Sequence, residues 1–152
     1  MAKFNVVLIE PEIPQNTGNI VRLCACTGAN LYLVGKLGFS LTEKHIKRAG
    51  LDYWDSVNIN QVPSFKELKE KFTQNNFYFL TTKYPKKYTE VEFKEGDFLV
   101  FGPESRGIPE ELLCQNKDYC LTIPMIEGQR SLNLSNSVSI VLYEAIRQIG
   151  IY

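Results

Sequence analysis

Apolar runs and helix-period stretches alternate along the chain from end to end. Apolar runs, several of them continuous, predict strands at residues 5–9, 31–34, 56–62, 77–81, 98–101 and 119–123. Runs such as Val6-Val7-Leu8-Ile9 and Phe98-Leu99-Val100-Phe101 show no polar alternation, as expected of strands covered on both faces. Between them, apolar positions spaced by three and four predict helices at 17–27, 42–50, 64–72, 109–113 and 135–149. Ser64 is placed to cap the third helix, with Glu67 completing a capping box. Pro109-Glu110-Glu111 has the proline and the acids of a helical first turn. This order of elements implies an α/β fold with a mainly parallel sheet. No repeat, low-complexity tract or linker divides the chain, so residues 1–152 read as a single domain. The last helix carries a broad apolar stripe through Val138, Leu142, Ala145 and Ile149, which suits either the sheet or a second subunit.

Composition changes this picture little. An apolar fraction of 44% is that of a globular chain. The first residues lack both the apolar length and the small-residue cleavage site of a signal peptide. No stretch reaches the roughly 20 apolar residues of a membrane span, so the expectation is a soluble, cytoplasmic protein with no membrane partner. Cys24, Cys26, Cys114 and Cys120 form no CxxC pair, and His45 is the only histidine. A metal site is therefore not expected, and the cysteines read as small buried hydrophobes in a reducing compartment. Seventeen basic residues balance 17 acidic ones. The charge is nevertheless clustered, at Lys44, Lys47 and Arg48 and again at Lys83, Lys86 and Lys87 around Tyr84 and Tyr88. Taken alone, such clusters are solvated surface.

Ligands of α/β proteins bind beyond the C-terminal ends of strands, and three stretches there are unusual. The first is PEIPQNTGNIVR, Pro11 to Arg22, which ends a strand and opens a helix. A helix start favours anions, yet neither GxGxxG nor GxxxxGK[ST] is present. Ile20, Leu23, Cys24 and Thr27 mark its buried face, and Arg22, two residues past Ile20, is rotated from it by about 200°. That geometry suits a functional arginine or a surface salt bridge equally well. In the second stretch, FLVFGPESRGIP, Gly102 at a strand end permits close approach of a ligand to the backbone. Glu104 and Arg106 follow it, functional groups or the charges of a plain turn. In the third, IPMIEGQRSLNLSNSVSI, five small polar residues (Ser131, Asn133, Ser135, Asn136, Ser137) crowd a helix entrance where one N-cap suffices. Their density suggests a polar ligand cradle.

In order and spacing these stretches resemble the three motifs of the SPOUT superfamily of S-adenosylmethionine-dependent RNA methyltransferases. Asn16-Thr17-Gly18-Asn19-Ile20-Val21-Arg22 looks like the first motif, Phe101-Gly102-Pro103-Glu104-Ser105-Arg106-Gly107 the second, and Ser131-Leu132-Asn133-Leu134-Ser135-Asn136 the third. Together with Arg48-Ala49-Gly50-Leu51-Asp52-Tyr53, they resemble the short tRNA 2′-O-methyltransferases that modify cytidine or uridine at wobble position 34. The resemblance implies a deep trefoil knot near the C-terminus, a homodimer, S-adenosylmethionine as cofactor and the tRNA anticodon loop as partner. It assigns the cofactor to Leu80, Thr81, Gly102, Glu104, Ile123, Met125, Ser131, Leu132 and Asn133. It assigns catalysis to Arg22, supported by Asn16, Glu104, Ser131 and Asn133.

The implied reaction asks little covalent help from the protein. A sulfonium methyl is already activated, so aligning oxygen, methyl and sulfur can supply roughly 7–11 kcal/mol. A guanidinium is almost never neutral at pH 7, so Arg22 suits oxyanion stabilisation and phosphate contact better than proton abstraction. No room remains for a separate RNA-binding domain, which leaves the basic clusters, Tyr143 and Arg147 as candidate RNA contacts. Another RNA target such as ribosomal RNA, and a non-catalytic RNA-binding factor of the same fold, are the alternatives. A generic flavodoxin-like nucleotide-binding domain is a third, disfavoured by the missing phosphate loop.

Overall fold

The computed structural model describes residues 4–41 and 53–150. The predicted helix at 42–50, with His45 and the cluster Lys44, Lys47 and Arg48, lies outside the described residues. Among those described, six strands form one sheet: β1 (Asn5–Ile9), β2 (Asn30–Val34), β3 (Ile59–Val62), β4 (Phe77–Leu80), β5 (Phe98–Phe101) and β6 (Cys120–Leu121). Their order is β3-β2-β1-β5-β4-β6 and every pairing is parallel. The helices are α1 (Pro14–Thr27), α2 (Phe65–Lys71), α3 (Glu110–Gln115) and α4 (Leu134–Ile149).

The unalternated runs are explained by cover on both faces of the sheet. Val6 and Leu8 face a core shared with Ile20, Val21 and Cys24 of α1 and Val138, Val141 and Leu142 of α4. Val7 and Ile9 face the opposite core, with Leu68 of α2 and Leu113 of α3. The stripe on α4 is thus taken up by the chain's own sheet and by α1, not by a second subunit. Cys24 and Cys120 are buried as expected, whereas Cys26 and Cys114 are exposed, which corrects that expectation for two of the four. Burial pushes the Cys24 thiol up to about 12 and Cys120 to about 11, so neither supplies a thiolate.

Of the element boundaries that moved, two did so for a local reason. The strand predicted from residue 56 starts at Ile59, because Ser56 and Val57 instead donate backbone bonds to Tyr53 and Trp54 in a turn. The strand predicted at 119–123 shrinks to Cys120–Leu121, because Lys117–Tyr119 winds into a 3-10 turn. Beyond it, Thr122 pairs with residues 86–88, donating to the Lys86 carbonyl and accepting from the Tyr88 amide. Helix α1 begins at Pro14 rather than at 17, for a reason that belongs to the site. Ser64 does cap α2, accepting from the Glu67 amide at 3.2 Å.

The N-terminal edge of the sheet is sealed by an amide chain. Asn58 donates to Asn30 at 3.1 Å, Asn30 to Asn5 at 2.9 Å and Asn5 to the Gly96 carbonyl at 3.0 Å, where Asn75 also donates. The C-terminal edge is left open. There the strand order turns, with β1 beside β5, the position where α/β folds bind ligands.

Candidate active site

The loops leaving β1, β4, β5 and β6 enclose a cleft of about 600 Å³, a size suited to a cofactor. All nine residues assigned to the cofactor by resemblance line it: Leu80, Thr81, Gly102, Glu104, Ile123, Met125, Ser131, Leu132 and Asn133. Asn16 lines it too. Apolar walls come from Phe101, Ile108 and Leu134, and cations from Lys83, Arg106 and Arg130. Lys83 is paired with Glu110 at 2.6 Å, and Arg106 lies 3.4 Å from Glu10. Lys86 and Lys87 stay exposed, while Tyr84 and Tyr88 pack against the two cores.

Helix α1 has no capping side chain of its own, since its N-cap is Ile13. Pro14 needs no amide partner there, and the cap comes from across the chain. Glu104 accepts from the Glu12 amide at 2.8 Å through one oxygen and from the Ile13 amide at 2.8 Å through the other. The second oxygen also accepts from Asn16 Nδ2 at 3.1 Å. The anion held at this helix start is the chain's own carboxylate, which the positive end of the helix favours. Asn16 is buried and links onward, its Oδ1 accepting from Asn133 Nδ2 at 3.2 Å. Asn133 in turn caps α4, accepting from the Asn136 amide and the Ser135 hydroxyl. One polar chain therefore joins all three motifs.

This geometry gives two of the expected features a second, structural role. The crowd of small polar residues before α4 serves both cleft and helix: Ser131, Asn133 and Ser137 line the cleft, while Ser135 and Ser137 donate to Asn133. Gly102 is small for a reason besides ligand approach. A Cβ there would sit 2.2 Å from the Gly107 carbonyl carbon and 2.3 Å from the Ile108 nitrogen. It is the chain's own backbone that comes close, folding residues 102–108 into the cleft wall.

Arg22 does leave the buried face of α1, as the spacing predicts, but it does not line the cleft. Its guanidinium carbon lies 5.2 Å from the centre of the Tyr53 ring. Tyr143 is exposed and Arg147 is bound to Glu144 at 2.8 Å. Among the described residues no group of His, Cys, Asp and Glu is placed to hold a metal, and no helix is long and apolar enough to cross a membrane.

Sequence reasoning missed Glu12. Its carboxylate accepts from both the amide and the hydroxyl of Ser105, at 2.8 and 2.9 Å. Those two donors, with Arg106 nearby, hold its pKa below the ordinary carboxylate value. No local pattern signals a contact between residues so far apart along the chain.

The SpoU rRNA methylase family matches residues 3–143. A tRNA (cytidine(34)-2′-O)-methyltransferase of Methylovorus glucosotrophus is 48% identical over 146 residues, covering 95% of each chain. A structure solved for work on the 2-OH methylation of C/U34 on tRNA superposes with a TM-score of 0.91 at 43% identity, over 96% of this chain and 95% of the other. The SpoU methyltransferase AviRb of Streptomyces viridochromogenes, solved with AdoMet, gives 0.87 at 25% identity, over 98% of this chain and 62% of its own. The parallel sheet with its C-terminal cleft is accordingly the SPOUT fold, and the chain belongs to the SpoU methylase family.

Proposed function

We propose that this protein transfers a methyl group from S-adenosylmethionine to the ribose 2′-hydroxyl of the wobble nucleotide, cytidine or uridine 34, of tRNA. The observation that carries the reading is the gathering of the nine residues assigned to the cofactor, from loops 80–81, 102–104, 123–125 and 131–133, around one cleft. Identity of 48% across nearly the whole length to a relative named for this reaction supports it. The cleft suits the cofactor: strand-end backbone at Leu80, Gly102 and Ile123 can meet an adenine edge, and Phe101 and Leu134 offer apolar cover. When bound, the cofactor supplies an electrophilic methyl on a positive sulfur.

The chain's part is to position and to stabilise charge. Glu104, Asn16 and Asn133 hydrogen-bond to one another and to helix starts. They act as positioning residues that hold three loops in register. Arg22 stabilises the developing alkoxide, with Tyr53 holding its guanidinium plane. Because Arg22 stands outside the cleft, the bound RNA or a second subunit has to bring the ribose and the arginine together.

The second subunit is part of the proposal. Ile13, Leu132, Ile140 and Tyr143 are large, apolar and exposed, at the cleft mouth and on the free face of α4. An apolar surface of this kind beside a functional site suits a homodimer. The SPOUT knot at the C-terminus, the anticodon loop as the docking element and a cytoplasmic location complete the reading. Tritiated methyl transfer to total tRNA, followed by mapping of the product, tests it. Label at ribose 34 is expected. Label confined to ribosomal RNA would move the target, and cofactor binding without any transfer would make the protein a binding factor.

A further inference from the structure

Glu12 lies in the loop between β1 and α1 and does not line the cleft, yet it ties two loops that are 93 residues apart. Ser105 donates its amide to Glu12 Oε1 at 2.8 Å and its hydroxyl to Oε2 at 2.9 Å. In return the amides of Glu12 and Ile13 donate to the two oxygens of Glu104, each at 2.8 Å. Each loop thus uses its carboxylate to hold the other loop's backbone. We propose that Glu12 is a positioning residue for the cleft: it fixes Ser105, the apex of the turn at 103–107, and so sets the shape of the wall against which the cofactor binds. This inference rests on the cleft being the S-adenosylmethionine site.

The turn shows why such a tether matters. Its base is held from within, by the contact of Gly102 on Gly107 and Ile108 and by the amides of Arg106 and Gly107 bonding back to the Pro103 carbonyl. Its apex is not held this way. Ser105 is exposed, and its amide and hydroxyl both turn outward to Glu12. Ser105, Arg106 and Gly107 all line the cleft, so freeing the apex loosens one wall directly. The length and charge of the side chain also follow. Only an acceptor with two oxygens takes an amide and a hydroxyl at once while staying charged. Aspartate falls short by one C–C bond, about 1.5 Å. Glutamine keeps the reach and one strong acceptor, and the Ser105 hydroxyl can reverse to accept from its amide.

A wall that is set before the reaction acts on binding more than on turnover. Glu12→Ala is therefore expected to raise the S-adenosylmethionine Kd and KM about tenfold, the loss of charge-assisted hydrogen bonds, and to leave kcat at saturating cofactor within about twofold. Glu12→Asp should behave like the alanine variant and Glu12→Gln should keep most of the affinity. Ser105→Ala should cost less alone and add nothing in the Glu12→Ala background. Calorimetry with S-adenosylmethionine, initial rates on tRNA and thermal unfolding measure these together on the full chain. A folded Glu12→Ala with wild-type Kd and KM overturns the proposal, as does an additive double variant. If the alanine variant does not fold, Glu12→Asp decides: a raised Kd supports the tether and a wild-type Kd ends it. Wild-type protein that binds no S-adenosylmethionine would sink the cleft assignment itself, a result separable from every variant outcome.

Discussion

Replacing Gly102 by alanine adds one methyl group at the point where the site's second loop folds on itself. The Cβ would stand 2.2 Å from the Gly107 carbonyl carbon, 2.3 Å from the Ile108 nitrogen and 2.7 Å from the Gly107 oxygen. Ordinary carbon contacts lie at about 3.5 Å or more, so the two strands of the loop must part by roughly 1 Å. No flexible side chain can yield, because all three of these neighbours are backbone atoms. Overpacking of this kind costs about 1–3 kcal/mol, or a fall in melting temperature of about 2–4 °C per kcal/mol for a chain of this size. The larger effect should fall on the cofactor. Residues 102–108 all line the cleft, and Glu104 within them holds the start of α1 through bonds of 2.8 Å that a shift of 1 Å would break. Kd for S-adenosylmethionine is expected to rise by at least about tenfold, with a modest fall in thermal stability. Calorimetry and thermal unfolding of the variant check both. Unchanged affinity and a melting temperature within about 2 °C of wild type would refute the account of Gly102 as a close-packed loop base.

Tyr53→Leu removes the ring beneath Arg22 and should lower kcat about two- to fivefold without changing the cofactor Kd, whereas Tyr53→Phe should keep full turnover; equal rates for the two would show that the ring does not hold the arginine. Arg22→Ala should lose about 10²–10³ in kcat and, because Arg22 does not line the cleft, bind S-adenosylmethionine normally in calorimetry. Glu12 and Glu144 have folded pKa values below the ordinary 4.5, set first by the Ser105 amide and by Arg147 respectively. Their contributions are therefore complete above about pH 4.5 and are lost as the pH falls through the folded values, so acid unfolding curves of Glu12→Gln and Glu144→Gln should be flatter there than wild type. Asn5→Ala breaks two links of the amide chain at the far edge of the sheet and should cost about 1–3 kcal/mol in denaturant unfolding, with cofactor affinity unaffected.

The sheet was legible where a strand's environment is written in its own residues. Val6-Val7-Leu8-Ile9 and Phe98-Leu99-Val100-Phe101 are apolar at every position because both faces are covered, and both strands fall where the runs place them. The residues of the cleft were legible through motif order. Boundaries and roles set by distant partners were not. Pro14 suits a first helical turn, but no capping residue beside it marks the start, because its cap is Glu104. The polar residues before α4 read as a ligand cradle, and sequence cannot show that the hydroxyls of Ser135 and Ser137 also turn back onto Asn133. The stripe on α4 fitted two partners equally until α1 was seen packed beside it.

The same long-range bond explains why a strand-loop-helix unit at the switch point of an α/β sheet carries no phosphate fingerprint. In dinucleotide and triphosphate sites the bare amides and positive end of the helix receive the ligand's anion. Here the Glu12 and Ile13 amides are already taken by Glu104, whose charge offsets the helix end. A phosphate at that position would meet a carboxylate in place of free donors. A ligand entering the cleft therefore meets the Glu104 carboxylate in place of a bare helix terminus, with Lys83, Arg106 and Arg130 elsewhere in the lining. The glycine that remains, Gly102, serves the packing of the cleft wall. Glycine at this strand end and acid two residues later therefore belong to one device: a loop folded tightly on itself so that its carboxylate reaches the start of the first helix.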